Sequence, residues 1–264
     1  MLAIVSSAGK ASTVEHLFMT HPDNPAKRVE YFLQKPEGRG PWPTIVFLPG
    51  WQPSPSPGGK VFAEWGVLNK YATRGYLAVS ISMPGFGNSS GPSDFCGPFT
   101  VDAVIGVLNK LEQEHLASPH KTVIEGVSRG AMVAGLGGAR DHSIAGLVLI
   151  SGAYDLERYV ETPFSKEAKL IGEGIEQEYG GNSAALRVRS VLDYPQDIKA
   201  ATLIMNGAKD DRTNPAQARE LADAINKHGG SAQVIIYPNY GHHISVKVRN
   251  EVVDPFIERV LNGK

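Results

Sequence analysis

Residues 121–136 read KTVIEGVSRGAMVAGL, and this junction constrains the chain more than any other stretch. A run of strand formers ends in Gly-x-Ser-x-Gly and passes directly into small helix formers. Gly126 and Gly130 stand two positions either side of Ser128. Glycines at those places let a strand and the following helix approach closely while the serine between them takes a sharp turn. Two readings fit: a nucleophilic serine held clear of a sheet, or an ordinary Gly-rich strand-to-helix connection.

The surrounding pattern supplies the sheet. Short β-branched runs predict strands at 29–34, 44–48, 77–82, 122–127, 147–151, 202–206 and 233–237. Several are apolar on consecutive residues, as expected of strands buried on both faces. Segments of helical period lie between them, at 61–73, 101–115, 129–139, 215–228 and 244–262. Pro215 suits a first helical position, and Gly229 with Gly230 stops that helix. Such alternation predicts an α/β fold with a mostly parallel central sheet flanked by helices. The segment 156–197 departs from the rhythm, being long, charged and helical in character. It is read as a small helical insertion, either a lid over a site or a body that packs beside it.

A chain of 264 residues, 42% hydrophobic, has enough apolar surface for one sizeable core, and 1–264 is read as a single domain. Lysine and arginine number 26 against 27 acidic residues, with no basic run to track a phosphate backbone, so nucleic acid is not an expected partner. Cys96 is the only cysteine and no Cys/His cluster has zinc spacing, so no metal or internal disulfide is expected. A reducing, cytoplasmic location follows as the expectation. The N-terminal MLAIVSSAGKAS lacks a basic start and a long apolar core, so no signal peptide is read there, although a removed leader would leave no trace. The longest apolar run, IAGLVLI at 144–150, falls far short of the roughly 20 residues of a membrane helix.

In an open parallel sheet, ligands bind outside the carboxyl ends of the strands. Ser128 follows one predicted strand, GAKDDRTNP with Asp210 and Asp211 follows another, and PNYGHH with His242 and His243 follows the last. A serine hydroxyl needs a base to become nucleophilic, and the base needs an orienting carboxylate. The order Ser, Asp, His is that of the α/β-hydrolases, not of chymotrypsin or subtilisin. Asp155, in SGAYD, is an alternative acid.

The sequence resembles the α/β-hydrolase superfamily, and within it the prolyl oligopeptidase-like and dienelactone hydrolase-like branch. The resemblance runs from about Pro43 onward through IVFLPG, PGFGNSSG, GVSRG, LIMNGAKDDRTNPAQARELADAI and VIIYPNYGHH. It implies the α/β-hydrolase fold, with Ser128 as nucleophile, Asp210 as acid and His242 as base. It also implies an oxyanion hole made by the backbone N–H of Arg129 and an N–H from LPGWQ, assigned to Trp51. Pro49 stands where the family usually has histidine. The full peptidases carry an N-terminal propeller, whereas only some 40 residues precede the resemblance here. That departure directs the expectation toward a free-standing esterase.

The expected reaction is therefore hydrolysis of a small carboxylic ester through a Ser128 acyl-enzyme, with no cofactor. Phe86, Phe95, Phe99 and Tyr154 are read as pocket walls by strand-end position, with Trp51 beside them. The Arg129 side chain either meets an acidic group of the substrate or forms a helix-surface salt bridge. Cys96 is read as a small apolar residue, and His115, His120, His142 and His228 as solvated. PGFGNSSG lacks the ending of a phosphate loop and is read as a turn that shapes the pocket floor. The alternatives are an aminopeptidase or acylpeptide-type amidase, a thioesterase, and a non-catalytic ligand-binding protein on the same fold.

Overall fold

The computed structural model describes residues 11–180 and 182–263, so most of the N-terminal stretch considered for a signal peptide lies outside the described residues. Among them, eight strands form one sheet in the order β1-β2-β4-β3-β5-β6-β7-β8. The strands are β1 (Glu15–His21), β2 (Asn24–Gln34), β3 (Trp42–Leu48), β4 (Leu77–Ser82), β5 (Ala117–Val127), β6 (Ile144–Ile150), β7 (Ala201–Gly207) and β8 (Ala232–Tyr237). β1 pairs antiparallel with β2, and β2 antiparallel with β4. From β4 to β8 every pairing is parallel.

The central strands are apolar on both faces because helices cover both. Val123 joins one buried cluster and its neighbour Ile124 the other. On the Ile124 side lie α3 (Pro98–Gln113), α4 (Arg129–Arg140) and α8 (Pro215–Lys227). On the Val123 side lie α1 (Lys60–Glu64), α2 (Val67–Ala72) and α9 (Val246–Asn262). Local chemistry sets the ends of these helices. Asn214 caps α8 by accepting from the Ala216 N–H at 2.9 Å, Pro215 opens it, and Gly229 (φ 80°) turns the chain away.

The segment between β6 and β7 forms α5 (Leu156–Glu161), α6 (Lys166–Tyr179) and α7 (Ser183–Arg187), followed by two single 3-10 turns. Ser165 caps α6 by accepting from the Ala168 N–H at 2.9 Å, and Gly180 ends it in the left-handed region.

Several features differ from the expectation. β1 has no counterpart among the predicted strands; its residues alternate between partly buried and exposed, so it carries a short edge-strand pattern. The predicted helix 61–73 is divided at Gly66, whose φ of 71° cannot continue a helix, into α1 and α2. β5 starts earlier than residue 122, since Ala117 pairs with Trp42 before a register shift.

Candidate active site

The chain order of the strands reverses between β3 and β5, because β3 leads to β4 on one side and the chain then returns to lay β5 on the other. That switch point opens a crevice at the carboxyl ends of β3 and β5. The loop after β3 begins with Pro49, Gly50 and Trp51; the turn after β5 is Ser128.

Ser128 has φ 54° and ψ −116°, a strained conformation for a non-glycine residue. Its neighbours explain how it is held. A Cβ on Gly126 would collide with the Gly130 backbone, and one on Gly130 would collide with the carbonyl of Leu48. Only glycines at both places let β5, α4 and β3 meet. The Ser128 N–H donates to the Ile150 carbonyl at 2.7 Å, which fixes the turn to β6. Ser128 thus sits at the start of α4, where the first backbone N–H groups have no partner within the helix and favour negative charge.

The structure brings Ser128, His242 and Asp210 together. The Ser128 hydroxyl lies 3.1 Å from His242 Nε2, and His242 Nδ1 lies 3.0 Å from Asp210 Oδ2. With the proton on Nδ1, the ring donates to Asp210 and accepts from Ser128. A Cβ on Gly207 would strike the carbonyls of Tyr240 and Gly241, so this glycine, three residues before Asp210, lets the His242 loop pass close over the end of β7. Ser151, itself at φ 52°, donates from its hydroxyl to the His242 carbonyl at 3.0 Å and pins the same loop to β6.

Burial alone would raise the Asp210 carboxyl, but the hydrogen bond and charge of His242, then the Thr213 hydroxyl and N–H, outweigh it and hold the pKa below the ordinary value. Asp210 Oδ2 accepts from Thr213 Oγ1 at 2.6 Å and from Asn206 Nδ2 at 3.1 Å; Oδ1 accepts from the Arg212 and Thr213 N–H groups at 2.9 and 3.0 Å. Sequence reasoning does not single out Asn206 or Thr213. Their signal is position alone, one residue before Gly207 and three after Asp210. Asp211 is exposed, and Asp155 is occupied as the cap of α5, accepting from the Arg158 N–H at 2.9 Å. His243 is exposed, its ring steeply inclined to that of His242 with centroids 5.3 Å apart.

Gly50 lies against Ser128: a Cβ there would be 3.2 Å from the Val127 carbonyl oxygen and 3.3 Å from Ser128 Cβ. The residue after it, Trp51, is 67% exposed. Phe86 and Phe95 flank the Arg129 guanidinium, at 5.2 and 4.4 Å from the ring centroids, and both are buried in the core. Two further expected wall residues are engaged elsewhere. Phe99 is stacked on His21 with centroids 3.7 Å apart, because α3 carries it toward β1. Tyr154 has no exposed surface; its ring packs over Gly152, and burial pushes its phenol up.

Arg129 forms the expected salt bridge, but not on the surface. Only 7% of its side chain is exposed, and it donates to Glu178 of α6 at 2.8 Å and to the Ser93 hydroxyl at 3.0 Å. The other end of α6 is tied to the acid loop, where Ser165 donates to the Asp211 carbonyl. Cys96 is buried with its thiol pushed up to about 12 by burial, consistent with a small apolar role. His115, His120, His142 and His228 are exposed. Among the described residues no group of three or more His, Cys, Asp or Glu side chains could hold a metal, and no helix is long and apolar enough to cross a membrane. Two surface hollows, about 570 Å³ beside Met19 and Pro22 and about 370 Å³ beside Val101 and Leu136, are lined by none of the Ser128, His242 and Asp210 residues.

The sheet order, the strained serine turn and the strand ends that bring these three side chains together define an α/β-hydrolase. The chain belongs to the prolyl oligopeptidase family, whose sequence pattern matches residues 96–262. It is 24% identical over 235 residues to the uncharacterized peptidase YuxL of Bacillus subtilis, spanning 82% of this chain and 34% of that protein. It thus spans about a third of that relative's length. Among solved structures, the acylaminoacyl peptidase of Pyrococcus horikoshii superposes with a TM-score of 0.77 at 18% identity, over 98% of this chain and 43% of the other. The acetyl xylan esterase of Paenibacillus sp. R4 superposes with a TM-score of 0.75 at 17% identity, over 99% and 87%. Both likenesses concern the fold, and they include a peptidase and an esterase.

Proposed function

We propose that the chain is a serine hydrolase that cleaves carboxylic esters through an acyl-enzyme on Ser128. One observation carries this reading: the continuous relay from the Ser128 hydroxyl through His242 to Asp210, at 3.1 and 3.0 Å. His242 takes the serine proton as Ser128 attacks the carbonyl, then returns it to the leaving alcohol. Asp210 keeps the ring in the tautomer with Nδ1 protonated and offsets the imidazolium charge. The N–H groups of Trp51 and Arg129 are the donors for the tetrahedral oxyanion, each worth about 2.7–4 kcal/mol of barrier lowering. Water then attacks the acyl-enzyme by the same route. Of the expected wall residues, Trp51 is the one with exposed apolar surface to offer a substrate, while Phe86 and Phe95 back the Arg129 side chain.

We favour an ester over a substrate with a free α-amino group. Capture of an ammonium calls for an unoccupied carboxylate, yet Glu178, which reaches the nucleophile turn, is engaged by Arg129 at 2.8 Å and by the Ser93 hydroxyl at 2.5 Å. The family membership keeps an amidase as the second reading, most readily on an acyl-blocked peptide. Thioesters share the acyl-transfer chemistry.

The test is kcat/KM on a p-nitrophenyl ester and a matched p-nitroanilide, with Ser128→Ala as background. Loss of the nucleophile should lower kcat by about 10⁶-fold. Fast Ser128-dependent ester cleavage with no anilide cleavage supports the esterase reading, and comparable anilide cleavage replaces it with the amidase. A folded protein that cleaves neither, and is not labelled on Ser128 by an organophosphate, would be a binding protein instead.

A further inference from the structure

Outside the relay, Glu30 on β2 is 1% exposed, yet it carries a carboxylate. No lysine or arginine among the described residues pairs with it. Four hydrogen bonds satisfy it instead. Oε2 accepts from the Ser82 hydroxyl at 2.6 Å and the Asn88 N–H at 2.9 Å; Oε1 accepts from Asn88 Nδ2 at 2.6 Å and His16 Nε2 at 2.7 Å. Burial would raise this carboxyl, but the donors together hold it below the ordinary value, so it is ionised at neutral pH.

The partners of Glu30 lead to the oxyanion loop. Ser82, directly opposite Glu30 across the β2–β4 pair, accepts from the Gly59 N–H at 2.9 Å, and Ser80 donates to the Gly59 carbonyl at 2.8 Å. Asn88 follows Gly87, whose N–H donates to the Ser56 carbonyl at 3.1 Å. Within that loop, Gln52 Oε1 accepts from the Ser56 hydroxyl at 2.6 Å and the Gly58 N–H at 2.8 Å, and its Nε2 donates to the Gly58 carbonyl at 3.1 Å. Gln52 is the residue after Trp51. The approach is close enough to exclude side chains: a Cβ on Gly87 would collide with Glu30 Oε2, and one on Gly58 with Ser82. This also accounts for PGFGNSSG, which is a loop docked on a buried carboxylate.

We propose that Glu30 is a positioning residue for the oxyanion hole: its carboxylate, acting through Ser82 and Asn88, fixes the 51–59 loop so that the Trp51 N–H is held toward the carbonyl on Ser128. The proposal rests on the hydrolase reading above for its catalytic consequence, but the hold on the loop stands apart from it. Glutamate is required because four donors converge on two oxygens. An amide has one acceptor oxygen and would aim its own N–H groups at Asn88 or His16.

Glu30→Gln, which preserves volume, tests this by two readouts. In hydrogen exchange, the amides of 51–59 should exchange at least about tenfold faster than in the wild type while β5, β6 and β7 keep their protection. In kinetics, an ester and its thiono analogue separate oxyanion bonding from everything else, because sulfur accepts hydrogen bonds weakly. The oxo-to-thiono ratio of kcat/KM should fall about tenfold with KM within twofold. Ser82→Ala, which deletes only the hydroxyl between Glu30 and Gly59, should shift both readouts the same way and serves if Glu30→Gln does not fold. Unchanged exchange of 51–59 in a folded variant overturns the proposal. So does an equal loss of kcat on both esters, which marks a merely structural role. A wild type without Ser128-dependent turnover refutes the hydrolase reading and with it the oxyanion role, while the exchange result still decides whether Glu30 holds the loop.

Discussion

The Arg129 guanidinium donates to Glu178 at 2.8 Å, so the residue that follows Ser128 is tied by its side chain to α6. Since Ser165 at the other end of α6 bonds the Asp211 carbonyl, the helix bridges the serine turn and the acid loop. We read the segment 156–197 as a fixed wall of the site on this account. Glu178→Ala leaves a nearly buried cation with one partner fewer, and a hydrogen bond to a charged group is worth roughly 1.5–3 kcal/mol. The expected result is a lower Tm and a flattened preference between short and long acyl esters as the wall loosens. Replacing both residues by methionine should recover part of the lost stability, because a buried ion pair exchanged for apolar side chains leaves no uncompensated charge. An unchanged acyl-length profile in Glu178→Ala would count against the wall.

The Asp210 carboxylate depends on more than His242. Thr213 Oγ1 donates to it at 2.6 Å, so Thr213→Val removes one donor at nearly constant volume. We expect kcat to fall about tenfold with KM little changed, a loss of about 1.4 kcal/mol in the transition state. Stability has a defined pH signature. A carboxyl whose folded pKa is lowered contributes stability that is complete above its unfolded value, about 3.9, and is lost as pH falls through the folded value. The Tm gap between wild type and Thr213→Val should therefore be full at neutral pH and narrow below about pH 4. A gap that stays constant into acid would detach Thr213 from the carboxylate's charge.

The part of this site legible in the sequence is the part that depends on neighbours along the chain. Gly126, Ser128 and Gly130 announce their turn because the required glycines lie two residues away, and Asp210 and His242 follow strands whose apolar runs are plain. Residues that act across the sheet leave no such trace. Glu178 meets Arg129 across 49 positions, and Glu30 meets Asn88 across 58, so no local spacing signals either pair. β1 is silent for a related reason: as an edge strand it is half exposed, and its alternation of His, Leu, Phe and Met lacks the solid apolar run of the central strands. Phe99 misleads because its place in the chain, after a strand, suggests the pocket; α3 begins at Pro98, and the first turn of that helix carries the ring to His21.

Gly50 tests the placement of the oxyanion loop. An alanine Cβ there would be 3.2 Å from the Val127 carbonyl oxygen and 3.3 Å from Ser128 Cβ, tighter than normal packing. Only a few tenths of an ångström of relief are needed, so the fold should survive while the loop moves off the serine. Gly50→Ala is expected to lower kcat about 10²-fold, comparable to loss of one oxyanion donor. Tm should change by no more than a few degrees. Wild-type kcat in a folded Gly50→Ala protein would mean that the Trp51 N–H does not serve the transition state.

Glu125 concerns stability rather than the site. It lies in β5 between Phe47 and Val148 of the adjacent strands, faces the α9 side of the sheet and is almost fully buried. Its nearest cation, the Arg249 guanidinium, is 3.8 Å away, beyond hydrogen-bond reach. Burial raises its carboxyl, against the opposing pull of Arg249 and Lys70. For an acid with a raised folded pKa, the folded state holds the proton more tightly. The cost of burying the charge is therefore absent below the unfolded value of about 4.3 and grows as pH rises through the folded one. Glu125→Gln has no charge to bury, so its melting temperature relative to wild type should be higher at pH 8 than at pH 4.5. Each kcal/mol recovered corresponds to roughly 2–4 °C in a protein of this size class. Activity should be unaffected, since Glu125 points to the sheet face opposite α4. A lower Tm for the variant at pH 8 would show instead that attraction to Arg249 and Lys70 outweighs the burial of the carboxylate.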